Sequence, residues 1–277
     1  MTISIEFALN HIAAPRLGCA EFFGLARKLG LGKVEIRNDL AGVPILDGTK
    51  AETVRREAQA KGVKILTINA LQRFNEWTKG REAEARELAR YAKHCGAQSL
   101  VLVPVNDASF QPGDQARLAG LRDALKNLLP ILKTQSLKGF VEPLGFATCS
   151  LRSKQEAVAA IDDVGGGDVF ALVHDTFHHH LAGEASMFPQ RTGLVHISGV
   201  ADRQLAVADM RDAHRVLVDG ADVLGNLAQI EALRQGGYRG VFSFEPFAER
   251  VQQAQDVGAE LAASMRFITE RVAPKGS

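Results

Sequence analysis

A single (β/α)8 TIM barrel of the α/β class is the fold this sequence predicts, and three observations predict it. Eight short runs rich in aliphatic and β-branched residues recur along the chain, with starts roughly 24 to 48 residues apart, enough for a helical crossover between parallel neighbours. Several are apolar through most of their length, as strands covered by helices must be. The segments between them carry helix composition and helix stops. A chain of 277 residues is long for one domain, but α/β barrels run to about 250 residues as one unit. No linker, repeat or low-complexity tract interrupts the alternation, so residues 1–277 are expected to form one domain. An open doubly wound sheet is the second choice.

The predicted strands are Ser4–Leu9, Lys33–Ile36, Lys64–Asn69, Ser99–Val103, Lys138–Glu142, Val169–His174, Leu194–Ile197 and Val241–Glu245. Between them, Ala51–Lys61 is rich in Ala, Glu, Arg and Lys, and Gly62 is placed to stop it. Arg81–Cys95 repeats that composition before Gly96. Gln115–Leu132 sets Leu118, Leu121, Leu125, Leu128 and Leu129 on one helix face, and Pro130 is expected to kink or end its last turn. Ser153 followed by Glu156 has the form of a capping box for a helix ahead of Val164. Leu224–Gln235 and Gln252–Val272 are the last predicted helices, and Gly165–Gly167 reads as a turn.

Composition narrows the function classes. Charged residues make up 23% of the chain and nearly cancel, to +1, which gives no support to a nucleic-acid partner. No run of apolar residues is long enough to span a membrane, and Met1 to Asn10 lack the pattern of a signal peptide. The 3 cysteines, Cys19, Cys95 and Cys149, are odd in number and form no CxxC pair, which fits a reduced, cytoplasmic compartment.

In a barrel the chemistry sits where strands finish. Four strand ends carry metal-type ligands: Glu142 after Lys138–Val141, Asp175 after Val169–His174, His196 after Gly193–Val195, and Glu245 after Val241–Phe244. Three carboxylates and one imidazole suit one divalent ion, Mn2+, Mg2+, Co2+ or Zn2+. A set of ion pairs plugging the barrel mouth is the competing explanation. Of the run His178–His180, His178 is expected to face the site, because a helical turn brings it back over Asp175, while His179 and His180 pack or face solvent. Asn10 and Asn69, at the ends of strands one and three, are expected to line the pocket and bind substrate. Glu35 and Arg37 are expected to form a buried network beneath it, and Phe74 and Trp77 to wall it. Ser198 to Asp222 is long for a barrel loop and is a candidate lid, while Cys149 reads as packing.

Glu142, Asp175, His196 and Glu245, together with Val34-Glu35-Ile36-Arg37, Ile68-Asn69-Ala70-Leu71, Glu142-Pro143-Leu144-Gly145, Asp175-Thr176-Phe177-His178, His214-Arg215-Val216 and Ser243-Phe244-Glu245, resemble the xylose isomerase-like TIM-barrel superfamily. Within it the likeness is greatest to the inosose (2-keto-myo-inositol) isomerases of inositol catabolism. The resemblance implies that the four strand-end residues hold the metal, that Glu142 and Glu245 are the catalytic proton-moving pair, and that His178 and Arg215 bind substrate oxygens. It implies an isomerase moving the carbonyl of a small polyhydroxy ketone or aldehyde through an enediolate. Inosose dehydratases, ketose 3-epimerases and hydroxypyruvate isomerases share that metal site. An abasic-site endonuclease or a non-catalytic sugar-binding barrel fits less well. Ser198-Gly199 and Leu217–Ala221 depart from the family pattern beside the pocket, which leaves the substrate open. A homodimer is one assembly the sequence permits.

Overall fold

The computed structural model describes residues 5–272 apart from Val43, Pro44 and Leu46. Strands and helices alternate: β1 (Phe7–Asn10), α1 (Cys19–Lys28), β2 (Lys33–Arg37), α2 (Ala51–Lys61), β3 (Lys64–Gln72), α3 (Lys79–Cys95), β4 (Ser99–Val103), α4 (Asp114–Gln135), β5 (Lys138–Val141), α5 (Lys154–Asp163), β6 (Phe170–Asp175), α6 (Thr176–Ala182), β7 (Thr192–Ile197), α7 (Asn226–Gln235), β8 (Phe242–Phe244), α8 (Glu249–Gln252) and α9 (Val257–Val272). Each strand pairs in parallel with the next, and β8 returns to β1, so the sheet closes into an eight-stranded barrel. Closure removes both sheet edges, which an open parallel sheet would leave exposed.

The predicted strands and helices all form, most with shifted ends, β3 for one running three residues further to Gln72, and α1 is a helix outside the predicted set. The start of the first predicted strand, Ser4, lies outside the described residues, and β1 runs one residue further than expected, to Asn10. Pro130 neither ends nor replaces the last turn of α4, which continues to Gln135. Leu128, Ile131 and Leu132 are buried on both sides of the proline, and that packing outweighs the one hydrogen bond it cannot donate. The last predicted helix, Gln252–Val272, begins later, as α9 at Val257: the short α8 ends at Gln252, and the Oδ1 of Asp256 accepts from the N–H of Ala259 at 2.9 Å at the new start. Other stops follow the sequence signals. Gly62 and Gly96 end α2 and α3 in the left-handed conformation, and Ser153 Oγ accepts from the N–H of Glu156 at the start of α5.

Strand alternation sorts each strand into two faces. Phe7, Leu9, Val34, Ile36, Phe242 and Phe244 point outward into the main core between sheet and helices, where Phe22 and Phe23 of α1 are fully buried. The inward face is closed lower down by a small apolar plug of Ala70, Val101, Val173 and Leu194, with Leu66, Val103 and Phe140 packed on it. Two residues further along three of these strands, on the same inward face, come Glu142 after Phe140, Asp175 after Val173, and His196 after Leu194. The plug is thus a dry floor, and the ionisable groups form the layer directly above it.

Candidate metal centre

The four strand-end residues converge. One ligand atom from each of Glu142, Asp175, His196 and Glu245 lies within 4.8 Å of the others, and all four residues are buried. Strand register brings them together: Asp175 is paired with His196 across β6 and β7, and the backbone N–H groups of Glu142 and Glu245 bond to Leu102 and Ile197 of the preceding strands. Two donors bound at about 2.0–2.2 Å to one ion lie up to roughly 4.4 Å apart, so the four atoms need draw in by only a few tenths of an ångström to share a cation.

The imidazole is oriented for that role. Its Nε2–H donates to Glu35 Oε2 at 3.2 Å, and Glu35 in turn accepts from Thr67 Oγ1 at 2.7 Å and Asn69 Nδ2 at 2.8 Å. A carboxylate on the far ring nitrogen fixes the tautomer and aims the other nitrogen at the metal. Nδ1 points into the acids, 2.8 Å from Glu142 Oε1, 3.2 Å from Glu245 Oε2 and 3.9 Å from Asp175 Oδ2. Burial works against charge on His196, but Glu245, Glu35 and Glu142 outweigh it and raise its pKa well above the usual range. The carboxylates therefore favour positive charge where they meet, the position a divalent ion would take. The donor set, its spacing and the Glu35 contact fit such an ion.

The carboxylates are unequal. Glu245 is fully engaged: Oε1 accepts from Asn10 Nδ2 at 3.1 Å and Arg37 Nη1 at 2.9 Å, and Oε2 from Arg215 Nη2 at 2.9 Å. Burial would raise its pKa, but His196, Arg215 and Arg37 prevail and hold it below the usual carboxylate range. Glu142 has no arginine partner. Its Oε1 meets His196, and its other oxygen takes no hydrogen bond among the described residues. Burial raises its pKa, and Glu245 and Asp175 add to that. Asp175 caps α6, its Oδ1 accepting from the N–H groups of Phe177 at 2.7 Å and His178 at 3.0 Å, while Oδ2 accepts from Arg215 at 2.6 Å.

A cavity of about 360 Å³ opens over this centre, lined by Glu142, Glu245, Asn69, His178, Arg37 and Arg215 among others. His178 does face it as expected, with its buried Nδ1 unpartnered, and it is braced by Phe146 and Phe177 with ring centroids 5.1 and 5.3 Å away. Gly145 allows that bracing, because a Cβ there would fall 2.4 Å from the carbonyl oxygen of His178. Asn69 lines the cavity with its amide already held by Glu35. Arg215 reaches the cavity but also grips Ser198 Oγ at 2.9 Å and the carboxylates of Asp175 and Glu245.

Three expectations are corrected. Asn10 is fully buried one layer back, holding Glu245 and the N–H of Ile12, and does not line the cavity. Glu35 and Arg37 are indeed buried but do not pair with each other; Glu35 serves His196, while Arg37 bonds to Asp39 and Glu245. Phe74 is part of the main core and Trp77 packs against it, so neither walls the pocket. The aromatic walls are Phe146 and Phe247, which sequence reasoning missed. Phe247 stacks under two guanidiniums, 5.3 Å from that of Arg37 and 4.7 Å from that of Arg215. The signal for it was an aromatic two residues past a ligand carboxylate. Cys149 is buried with its thiol pushed up to about 11, chiefly by burial, in keeping with packing. No helix is long and apolar enough to cross a membrane, among the described residues.

Residues 23–271 match the family described as xylose isomerase-like TIM barrel. A xylose isomerase domain-containing protein from Salmonella typhimurium LT2 is 34% identical, with 98% of this chain and 99% of that one covered and a TM-score of 0.88. The IolI protein, whose crystal structure contains a bound zinc atom, is 21% identical, with 97% and 98% covered and a TM-score of 0.84. A D-psicose 3-epimerase from Clostridium cellulolyticum H10, solved with D-tagatose, is 13% identical, with 97% and 99% covered and a TM-score of 0.74. No curated protein sequence matches.

Proposed function

The chain belongs to the xylose isomerase-like TIM-barrel family, and from that premise we propose that it is a metal-dependent isomerase of a small polyhydroxy ketone or aldehyde, of the 2-keto-myo-inositol type. The observation that carries this reading is the convergence of Glu142, Asp175, His196 and Glu245 on one point above a dry floor and under a small polar cavity. The zinc in the IolI structure supports a metal at such a site.

Moving a carbonyl along a polyol requires removing a proton from a carbon beside C=O, and that carbon is a very weak acid in water. The ion, when bound to these four residues, supplies Lewis-acid stabilisation of the charge that develops on substrate oxygens. The protein does the rest. Glu142 is the better-placed proton carrier, since one of its oxygens is free of hydrogen bonds and its proton affinity is raised. Glu245 is kept ionised and fixed by Arg37, Arg215 and Asn10, and completes the pair. His178 and Arg215 line the cavity within reach of substrate oxygens, and Asn69, its amide N–H groups spent on Glu35 and Thr67, completes the wall. Phe146 and Phe247 exclude water and offer flat apolar surfaces to the C–H face of a sugar or cyclitol.

The test is solvent exchange. Metal-stripped protein reloaded with Mn2+ is incubated in D2O with 2-keto-myo-inositol and followed by NMR. Metal-dependent deuterium uptake beside the carbonyl, with a rearranged product of unchanged composition, is the expected result. Uptake accompanied by loss of water makes the enzyme a dehydratase, and inversion at one carbon an epimerase. Failure to bind a divalent ion removes the proposal altogether.

A further inference from the structure

A second and larger chamber, about 750 Å³, adjoins the metal cavity. The two share three lining residues, Asn106, Phe146 and Asp212. Phe146 stands at the junction, with its ring against His178 of the metal cavity. The far wall of the second chamber comes from the β7–α7 excursion, where Val207 is 44% exposed, the one large hydrophobic residue so exposed among the described residues. Met210 and Leu181 add to the apolar wall. The basic groups there are turned to the wall itself: Arg152 donates to the carbonyls of Gly145 and Leu181, and Arg211 to those of Ala208 and Met210. Asp212 places a carboxylate on the rim between the chambers.

Resting on the isomerase reading, we infer that this chamber is a substrate subsite, and that the substrate is a polyhydroxy ketone carrying an uncharged ring substituent, such as a second sugar ring, on the side away from the reacting carbonyl. The first cavity is at the low end of the roughly 300–1,000 Å³ usual for ligand sites and is dominated by charge, which suits one polyol ring. The second is twice as large and mostly apolar-faced. The charged groups on its wall are each engaged within the protein, Arg152 and Arg211 with backbone carbonyls and Asp212 with Arg215 at 3.2 Å. An uncharged ring lies its apolar face on Val207, Met210 and Phe146 and turns its hydroxyls to the open side.

Deuterium exchange by the Mn2+-loaded enzyme is measured with 2-keto-myo-inositol, fructose, its glucosyl derivative isomaltulose, and fructose 6-phosphate. The same panel is run on Ala208→Trp, an exposed position that narrows only the second chamber. The expected result is at least a tenfold higher kcat/KM for isomaltulose than for fructose, lost in Ala208→Trp while fructose is unaffected. Equal kcat/KM for fructose and isomaltulose in both proteins overturns the subsite and leaves the isomerase reading intact. A preference for fructose 6-phosphate overturns the uncharged substituent. Exchange into none of the four overturns the isomerase reading and this inference with it.

Discussion

Two buried polar clusters begin at the same strand end and face opposite ways. Asp175 points into the barrel and joins Glu142, His196 and Glu245, whereas its neighbour His174 points outward and joins Lys154, His179 and Glu184 under α6. The outer cluster is built from the same residue types, yet its hydrogen bonds close on the protein, with the buried Nδ1 of His174 left without a partner. Lys154 Nζ donates to His179 Nδ1 at 2.8 Å and Glu184 Oε2 at 3.2 Å, Glu184 caps the start of α5, and His174 Nε2–H donates to Gln229 Oε1 at 2.9 Å. The inner cluster instead crowds acids around one point beneath a cavity that Glu142, Glu245 and His178 line. Hydrogen bonds that close on the protein hold secondary structure together; surplus acid beside a cavity leaves capacity for an ion and a substrate. Histidine and carboxylate content alone does not distinguish them.

The sharpest way to break that contrast is Glu245→Gln, which keeps the shape of the inner cluster and removes one negative charge. Turnover should fall by about 10²- to 10⁴-fold, with weaker Mn2+ binding by calorimetry and a circular dichroism spectrum like the parent's. Unchanged kinetics in this variant take Glu245 out of the mechanism. In the outer cluster, Lys154→Ala strands the half-buried Glu184 and opens a small void. Urea unfolding should report a loss of about 1–3 kcal/mol, with kcat on any active substrate within twofold of the parent. A large drop in kcat at unchanged stability would merge the two clusters into one functional unit.

Acid sharpens the comparison further. Burial, reinforced by Lys154, lowers the pKa of His174 to about 3 and of His179 to about 4. Their folded-state values lie below the unfolded value near 6.5, so the unfolded chain binds more protons between those limits, and stability falls as pH drops below about 6.5. His196 has the opposite sign, with a folded pKa raised well above 6.5, so in metal-free protein it adds stability as pH falls toward 6.5 and contributes no slope below it. Urea midpoints of metal-free protein between pH 6.5 and 4.8 should therefore decline, and His179→Gln should flatten the decline while His196→Gln should not. The smallest effect is expected from Phe247→Ala. It removes an aromatic face from Arg37 and Arg215, worth about 0.5–2 kcal/mol, and should raise KM several-fold with metal affinity little changed.

Much of this molecule was legible before any coordinates. Eight strands alternating with helices, Gly62 and Gly96 as stops, and acids or histidine at the ends of four late strands are local patterns, set by backbone sterics and side-chain periodicity within a few residues. The period of two along a strand even orders His174 and Asp175 onto opposite faces once the strand is placed. What the chain could not show locally was which distant groups serve which ligand. Glu35 supports His196 from 161 positions away, Asn10 holds Glu245 from 235, and Phe247 rather than Phe74 forms the wall. Those pairings depend on how far the strands tilt and shift in register as the sheet closes, with shifts recorded in β2–β3, β3–β4 and β6–β7. Closure is a property of all eight strands at once, so local sequence named the candidate ligands and only the assembled barrel decided what surrounds them.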